Sequence, residues 1–402
     1  MSTPSSYESR THSNGPHAGS RTPLSRRGLT LLESTVALVV VVVVVIIALP
    51  TLVNFRERGR RLACEANLFR LGHAVSNYRT GDSANAYPSG ATYHRDDGGT
   101  SWWLAIMPFA DMPDVAKQWQ KNPEGGHFNG EAQNPNFPLA DGLRQSIFQC
   151  PSSPLPPTND PRFHLNGSNR RMLGDREPAG VAVPTYAAVA GGAPDARDID
   201  LGKLTNQPHG RNTADGRYGI LSGSGVMPVN DRIADAAVRD PKAKTIILVE
   251  QSAYGRNDAV DPPDLYDLRS AWPNGLLMGS TGDYHKLSPT AAGVNGDGSA
   301  RVWNVTTLRY PINTLSVIDR PGFVVDPAPP RAANPDEPPP PAPPYPPGGY
   351  GPGHNHGINS AHPGGAHALM ADGSVRFFNE SLELSLLLMF ATRDDGLDSN
   401  DQ

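Results

Sequence analysis

The 402-residue chain carries 41 glycines and 41 prolines, about a fifth of its length. That excludes a helical bundle or a coiled coil, because both residues weaken helix interiors. A formal net charge of −5 excludes general nucleic-acid binding through a basic surface, and two cysteines exclude a cysteine-rich scaffold or a four-thiolate zinc site.

In chain order, residues 1–28 read as a basic, Ser-rich leader. Residues 36–49 are uninterruptedly apolar, and a helix over 29–53 would span about 37 Å, enough to cross a hydrocarbon core of roughly 30 Å. In lipid the backbone has no other hydrogen-bond partner, so even a valine run is forced into helix. The stretch therefore reads as a membrane span. Glu33 within it is costly, and such residues are usually functional. Beyond Pro50, the residues Cys64, Leu68, Leu71, Val75 and Tyr78 recur at helical spacing and define one helix face. A single transmembrane and stalk helix is predicted over 29–79, bent near Pro50 and Gly59, its second half laying an apolar stripe on a globular head.

The head is predicted over 80–392, with an acidic tail at 393–402. A helix over 102–119 is broken around Pro108 and Pro113, and 120–180 is mostly loop. Strands are expected at 181–189, 218–221, 245–250 and 300–305. Prolines make up half of 327–352, an insertion expected to be extended and solvated. Near the end, 367–371 and 374–378 read as a hairpin on a two-residue Asp372-Gly373 turn with positive φ at both residues, pairing Met370 with Val375 and Ala368 with Phe377. A short Leu-rich helix follows at 382–390.

Two motifs carry a resemblance. Arg26-Arg27-Gly28 stands immediately before Leu29-Thr30-Leu31-Leu32-Glu33, and this resembles the prepilin cleavage and methylation motif of type IV pilins and type II secretion pseudopilins. The resemblance implies cleavage after Gly28 by a prepilin peptidase and an N-methylated new N-terminus at Leu29, where Phe is commonest. It also implies that Glu33 guides assembly. Pairing with the charged amine of a neighbouring subunit would cost less in lipid than either charge alone. The segment Ser25-Arg26-Arg27-Gly28-Leu29 also resembles a twin-arginine export signal, but no small-residue cleavage site follows the apolar run. A plain signal anchor is the other rival.

At the far end, nine residues separate His362 from Asp372-Gly373. Taken with the N-terminal motif, this is similar to a bacterial pseudopilin-like family of unknown function defined by a prepilin motif and a C-terminal His-x9-Asp-Gly motif. Further matching pieces are Cys64-x-x-Asn67-Leu68, Gly72, Asn77-Tyr78, Phe148-Gln149-Cys150-Pro151-Ser152, Leu248-Val249-Glu250 and Leu308-Arg309-Tyr310-Pro311-Ile312-Asn313. The resemblance implies an α+β fold, with a long pilin-like transmembrane helix packed on a mainly antiparallel β, loop-rich head. It places the chain in the bacterial inner membrane as a single-pass protein with the head exported to the periplasm or cell surface. The implied partners are prepilin peptidase, other pilin or pseudopilin subunits and the lipid bilayer. It also implies a Cys64–Cys150 disulfide, since both cysteines fall in family landmarks on what would be the oxidising side. The residues alone leave two buried free thiols open.

No enzyme signature or cofactor motif is present: H-E-x-x-H, G-x-x-x-x-G-K-[ST] and G-x-S-x-G are all missing. His354, His356, His362 and His367 form the only histidine cluster. No cysteine or carboxylate cluster stands near them in sequence, so His362 is expected to be structural, hydrogen-bonding the backbone of the hairpin turn. Asp394, Asp395 and Asp398 are weak calcium candidates beside the commoner reading of a solvated tail. The expected function is a non-enzymatic subunit assembled through its N-terminal helix into a secretion or surface filament. A surface binding or sensing module on a pilin-type anchor is the alternative, and a metal-dependent exported enzyme is a weaker one.

Overall fold

The structure is a computed structural model and describes residues 30–93, 99–120, 135–159, 173–193, 212, 218–258, 263–280, 301–316 and 353–395. The leader with Arg26, Arg27 and Gly28, then Leu29, the proline-rich 327–352 and Asp398 lie outside the described residues. The chain divides into two units, Met1–Phe55 and Arg56–Gln402.

Helix α1 (Leu31–Gly81) is 51 residues long. Its start is set by a reciprocal cap. The Thr30 backbone N–H donates to Glu33 Oε2 at 2.8 Å, and the Glu33 N–H donates to Thr30 Oγ1 at 3.3 Å, so two otherwise unpaired donors of the first turn are satisfied. In the first unit the large apolar side chains of residues 31–46 are exposed, from Leu31 to Ile46.

Among the described residues no helix is long and apolar enough to cross a membrane. This corrects two expectations, the transmembrane segment and the single-pass inner-membrane location.

In the second unit the predicted stripe on α1 is where the core begins. Cys64, Leu68, Leu71 and Val75 are buried, and Tyr78 packs against them half-buried. They lie on a five-stranded sheet of order β5-β1-β2-β6-β7, built from β1 (Tyr186–Gly192), β2 (Ile246–Glu250), β5 (Val305–Leu308), β6 (Gly365–Met370) and β7 (Val375–Asn379). Strand β1 pairs antiparallel with β2 but parallel with β5, so the sheet is mixed, with its other pairings antiparallel as expected. Along β1, Ala188 and Ala190 join the core under α1, whereas Ala187 and Val189 join a second core. That second core is covered by α5 (Leu384–Phe390), through Leu387, Leu388 and Phe390. The two-residue alternation thus feeds helices on both faces, and the fold is α+β. A separate hairpin, β3 (Tyr254–Asn257) with β4 (Asp264–Asp267), has no forerunner among the predicted strands.

Proline punctuation acts as expected between 102 and 119. Helix α2 (Trp102–Ile106) gives way to a 3-10 turn at Met107–Phe109, and α3 (Pro113–Gln118) starts on the second proline. Helix α4 (Phe137–Ala140) is a single turn. The segment expected as a strand at 218–221 forms only an isolated bridge at Gly219, and the strand expected at 300–305 begins instead at Val305.

The β6–β7 hairpin exists one residue out of the expected register. Leu369 faces Val375, His367 faces Phe377 and Ala366 faces Phe378. The reason lies in the turn. Gly373 has φ 89° while Asp372 is not in the left-handed region, and the Gly373 N–H donates to Met370 O at 3.0 Å. This is a three-residue connection with glycine at the left-handed position, not the two-residue turn. The slip is tolerated because β6 is buried along its whole length, so neither of its faces has to meet solvent.

The C-terminal end of α1 is tied down by Asp235, which accepts from Arg79 and from Lys242 Nζ at 2.5 Å. Burial opposes ionisation of Asp235, but the Lys242 hydrogen bond and the charges of Arg79 and Lys242 outweigh it, holding the carboxyl below its ordinary 3.8. A depressed carboxyl contributes stability that is full above its unfolded value and lost as pH falls through the folded one. Asp235→Asn is therefore expected to cost about 1 kcal/mol at neutral pH. Urea titrations should show the gap between variant and wild type closing below about pH 4.

Candidate functional site

Helix α1 puts Glu57 and Cys64 seven residues apart, two turns on one face. Both point toward the segment after the 3-10 turn Ser146–Phe148: Cys64 is disulfide-bonded to Cys150, and Ser152 Oγ donates to Glu57 Oε2 at 3.1 Å. Asn67, one turn on, donates through Nδ2 to Ser146 O and Gln149 O, both at 2.9 Å. The Cys150 N–H donates to Thr185 Oγ1 at 2.7 Å. The cysteines are thus held by α1, by the 146–152 loop and by the residue before β1.

From the other side comes the end of β2. Its run Ile246–Glu250 is wholly buried, and it closes on a carboxylate with no solvent contact. Glu250 Oε1 accepts from Ser252 Oγ at 2.6 Å and from Ser360 Oγ at 3.0 Å, and Oε2 accepts from the His367 N–H at 3.2 Å. His367 Nδ1 lies 3.4 Å from Oε2 and His362 Nε2 lies 3.6 Å from Oε1. Burial pushes this carboxyl up, yet the His367 hydrogen bond, the His362 charge and Ser252 together bring it below the ordinary 4.5. Across the β1–β2 pair, Tyr186 faces Glu250, and burial, with that charge, pushes its hydroxyl well up.

His362 joins the two halves. Its buried ring sets Nδ1 2.6 Å from Glu57 Oε1 and Nε2 3.3 Å from Cys150 Sγ. Arg61 covers the rim: it bonds Pro363 O and lies 4.6 Å over the Phe377 ring, which meets the His367 ring edge-on at 5.0 Å.

The expectation that His362 bonds the hairpin turn is corrected by this geometry, since the polar groups that its ring meets lie on α1, on the Cys150 loop and on β2. His362 and Asp372-Gly373 bracket β6 and do not meet; each end of the motif docks on α1. His362 reaches Glu57. The turn lies over Gly72, where an added Cβ would come 2.9 Å from Leu369 Cδ1 and 3.6 Å from Gly373 O. Asp372 Oδ1 accepts the Ser374 N–H at 2.9 Å, which shapes the turn.

The acidic residues end elsewhere. Asp395 is buried with its N–H on Asp240 Oδ2 at 3.0 Å, and Arg393 beside it bonds Gly223 O and Gly225 O, so residues 393–395 are packed; the rest of the expected tail lies outside the described residues. Asp394 is half-buried. His354 and His356 are buried apart from the cluster, His356 Nε2 accepting from the Gly353 N–H at 3.2 Å. Glu57, Glu250, His367, Ser252 and Ser360 received no role from the sequence. The available signals were the seven-residue Glu57–Cys64 spacing and a carboxylate ending an otherwise apolar strand.

Residues 54–385 match the family model described as a protein of unknown function (DUF1559). No curated protein and no solved structure matches the chain.

Proposed function

This chain belongs to that family of unknown function, which is often associated with pilin-like proteins, and on that premise we propose that it is a non-enzymatic, pseudopilin-like subunit. It is processed after Gly28 by a prepilin peptidase and assembles with related subunits through its N-terminal helix into a secretion or surface filament. The observation that supports this most is the row of exposed apolar side chains on α1, with Leu38 at 65%, Val44 at 58% and Ile46 at 65% exposure. Apolar surface removed from water contributes about 25 cal/mol per Å². A continuous helix clad in valine gains from being covered by identical helices.

Glu33 is the control point. Its carboxylate caps its own helix through Thr30. Processing after Gly28 would set a charged amine one residue before that cap, within reach of a neighbour's Glu33. Glu33→Ala is expected to abolish incorporation into filaments, scored by electron microscopy of the sheared fraction, while the oxidised head stays folded. Glu33→Gln, which keeps an acceptor for Thr30 without the charge, should fail as well. Assembly at wild-type levels by both variants would contradict the proposal.

A further inference from the structure

We propose that the buried cluster is a redox-gated site for a thiophilic divalent cation such as Zn²⁺, closed in the disulfide form and open once Cys64–Cys150 is reduced. The ligands are Cys64 Sγ, Cys150 Sγ, His362 Nε2 and a Glu250 carboxylate oxygen. All four residues are buried and these atoms lie within 4.8 Å of one another.

Three observations carry it. The first is spacing. With Zn–S about 2.3 Å and Zn–N or Zn–O about 2.0–2.1 Å, the edges of a tetrahedral site are about 3.3–3.8 Å. His362 Nε2 already stands 3.3 Å from Cys150 Sγ and 3.6 Å from Glu250 Oε1. The remaining contacts lie within 4.8 Å, and the two sulfurs, joined in the disulfide, must part. The second is the outer layer. His362 Nδ1 sits 2.6 Å from Glu57 Oε1, which places its proton there and leaves the Nε2 lone pair for a metal. This is the carboxylate–histidine arrangement that orients metal ligands. Glu250 is steadied in the same way by Ser252 and Ser360. The third is chemistry: two thiolates, an imidazole and one carboxylate form a closed, soft-biased set suited to a structural zinc.

The opening step is balanced with a phosphine reductant. The phosphine attacks one sulfur and breaks the S–S bond, and water then hydrolyses the intermediate. Two thiols and one phosphine oxide result. Binding of Zn²⁺ then releases the two thiol protons. Any cellular counterpart of the phosphine would be a dithiol.

The test uses the full chain, reduced anaerobically with a phosphine and titrated with Co²⁺. The expected result is one equivalent bound, with the intense visible bands of a tetrahedral thiolate site and displacement by Zn²⁺. The disulfide form should show no such bands. His362→Gln should weaken Co²⁺ binding at least about tenfold and alter the bands. A reduced chain that keeps its fold and binds no Co²⁺ would overturn the proposal. So would a reduced chain that unfolds and is not refolded by Zn²⁺, or a His362→Gln variant with unchanged affinity and spectrum.

Discussion

Replacing Cys64 and Cys150 together by alanine is expected to lower the folding free energy by about 4–5 kcal/mol. The bridge joins residues 86 apart in sequence, and the loop-closure entropy withheld from the unfolded chain grows with the logarithm of that length. Against a typical total of about 5–15 kcal/mol, the loss is a large share. It also falls at a sensitive place, because the bridge fastens α1, which carries one wall of the core, to the loop whose Cys150 N–H bonds Thr185 just before β1. Guanidinium titrations of the oxidised wild type and of the double variant, read by near-UV circular dichroism, would show the midpoint fall. The wild type under reductant, without added metal, should behave like the variant. A change below about 1 kcal/mol would mean that packing of α1 on the sheet holds the head without the bridge.

Glu250→Ala is expected to cost about 3–5 kcal/mol, the range for breaking a buried charge network by removing one partner. The substitution leaves the Ser252 and Ser360 hydroxyls and the His367 N–H without their common acceptor. It also leaves His362 and His367 facing each other, ring centroids 5.2 Å apart, without the carboxylate between them. Glu250→Gln keeps one oxygen for the serines but turns an amide NH₂ toward the His367 N–H, so it should cost less, about 1–3 kcal/mol. The ionised Glu250 carboxyl lies below its ordinary value. Its contribution is complete above about pH 4.5 and fades as pH falls through the folded value. Thermal unfolding of the two variants between pH 7 and pH 3 reads both effects. Equal midpoints for Ala, Gln and wild type would refute the reading of Glu250 as the anchor of the cluster.

Much of this architecture is written in local patterns. The Cys64–Tyr78 spacing gives the buried face of α1, and Pro108 and Pro113 break the following helix because proline removes a donor and fixes φ. Cys64, Asn67, Cys150, Ser152 and Glu250, residues on which the sequence resemblance was drawn and which are separate in sequence, converge at one place. What stayed hidden is non-local. Glu57 acquires a role only when His362, 305 residues away, folds against it. The hairpin slipped by one because Asp-Gly suits both a two-residue and a three-residue turn, and a strand buried on both faces leaves no polar side to choose between them. The parallel β1–β5 pairing was equally invisible, since pairing direction depends on how the chain returns to the sheet and not on either strand's residues. The apolar stretch shows the opposite failure. Its hydropathy predicted a bilayer span, whereas among the described residues no helix is long and apolar enough to cross a membrane.

The proposal stands most directly on the N-terminus of the protein purified from cells that express it. Intact-mass and N-terminal peptide spectrometry should find a chain that begins at N-methylated Leu29, with the Cys64–Cys150 pair oxidised. A chain that still carries Met1 and the arginines at 26 and 27 would contradict processing, and with it the account of this protein as a pseudopilin-like subunit.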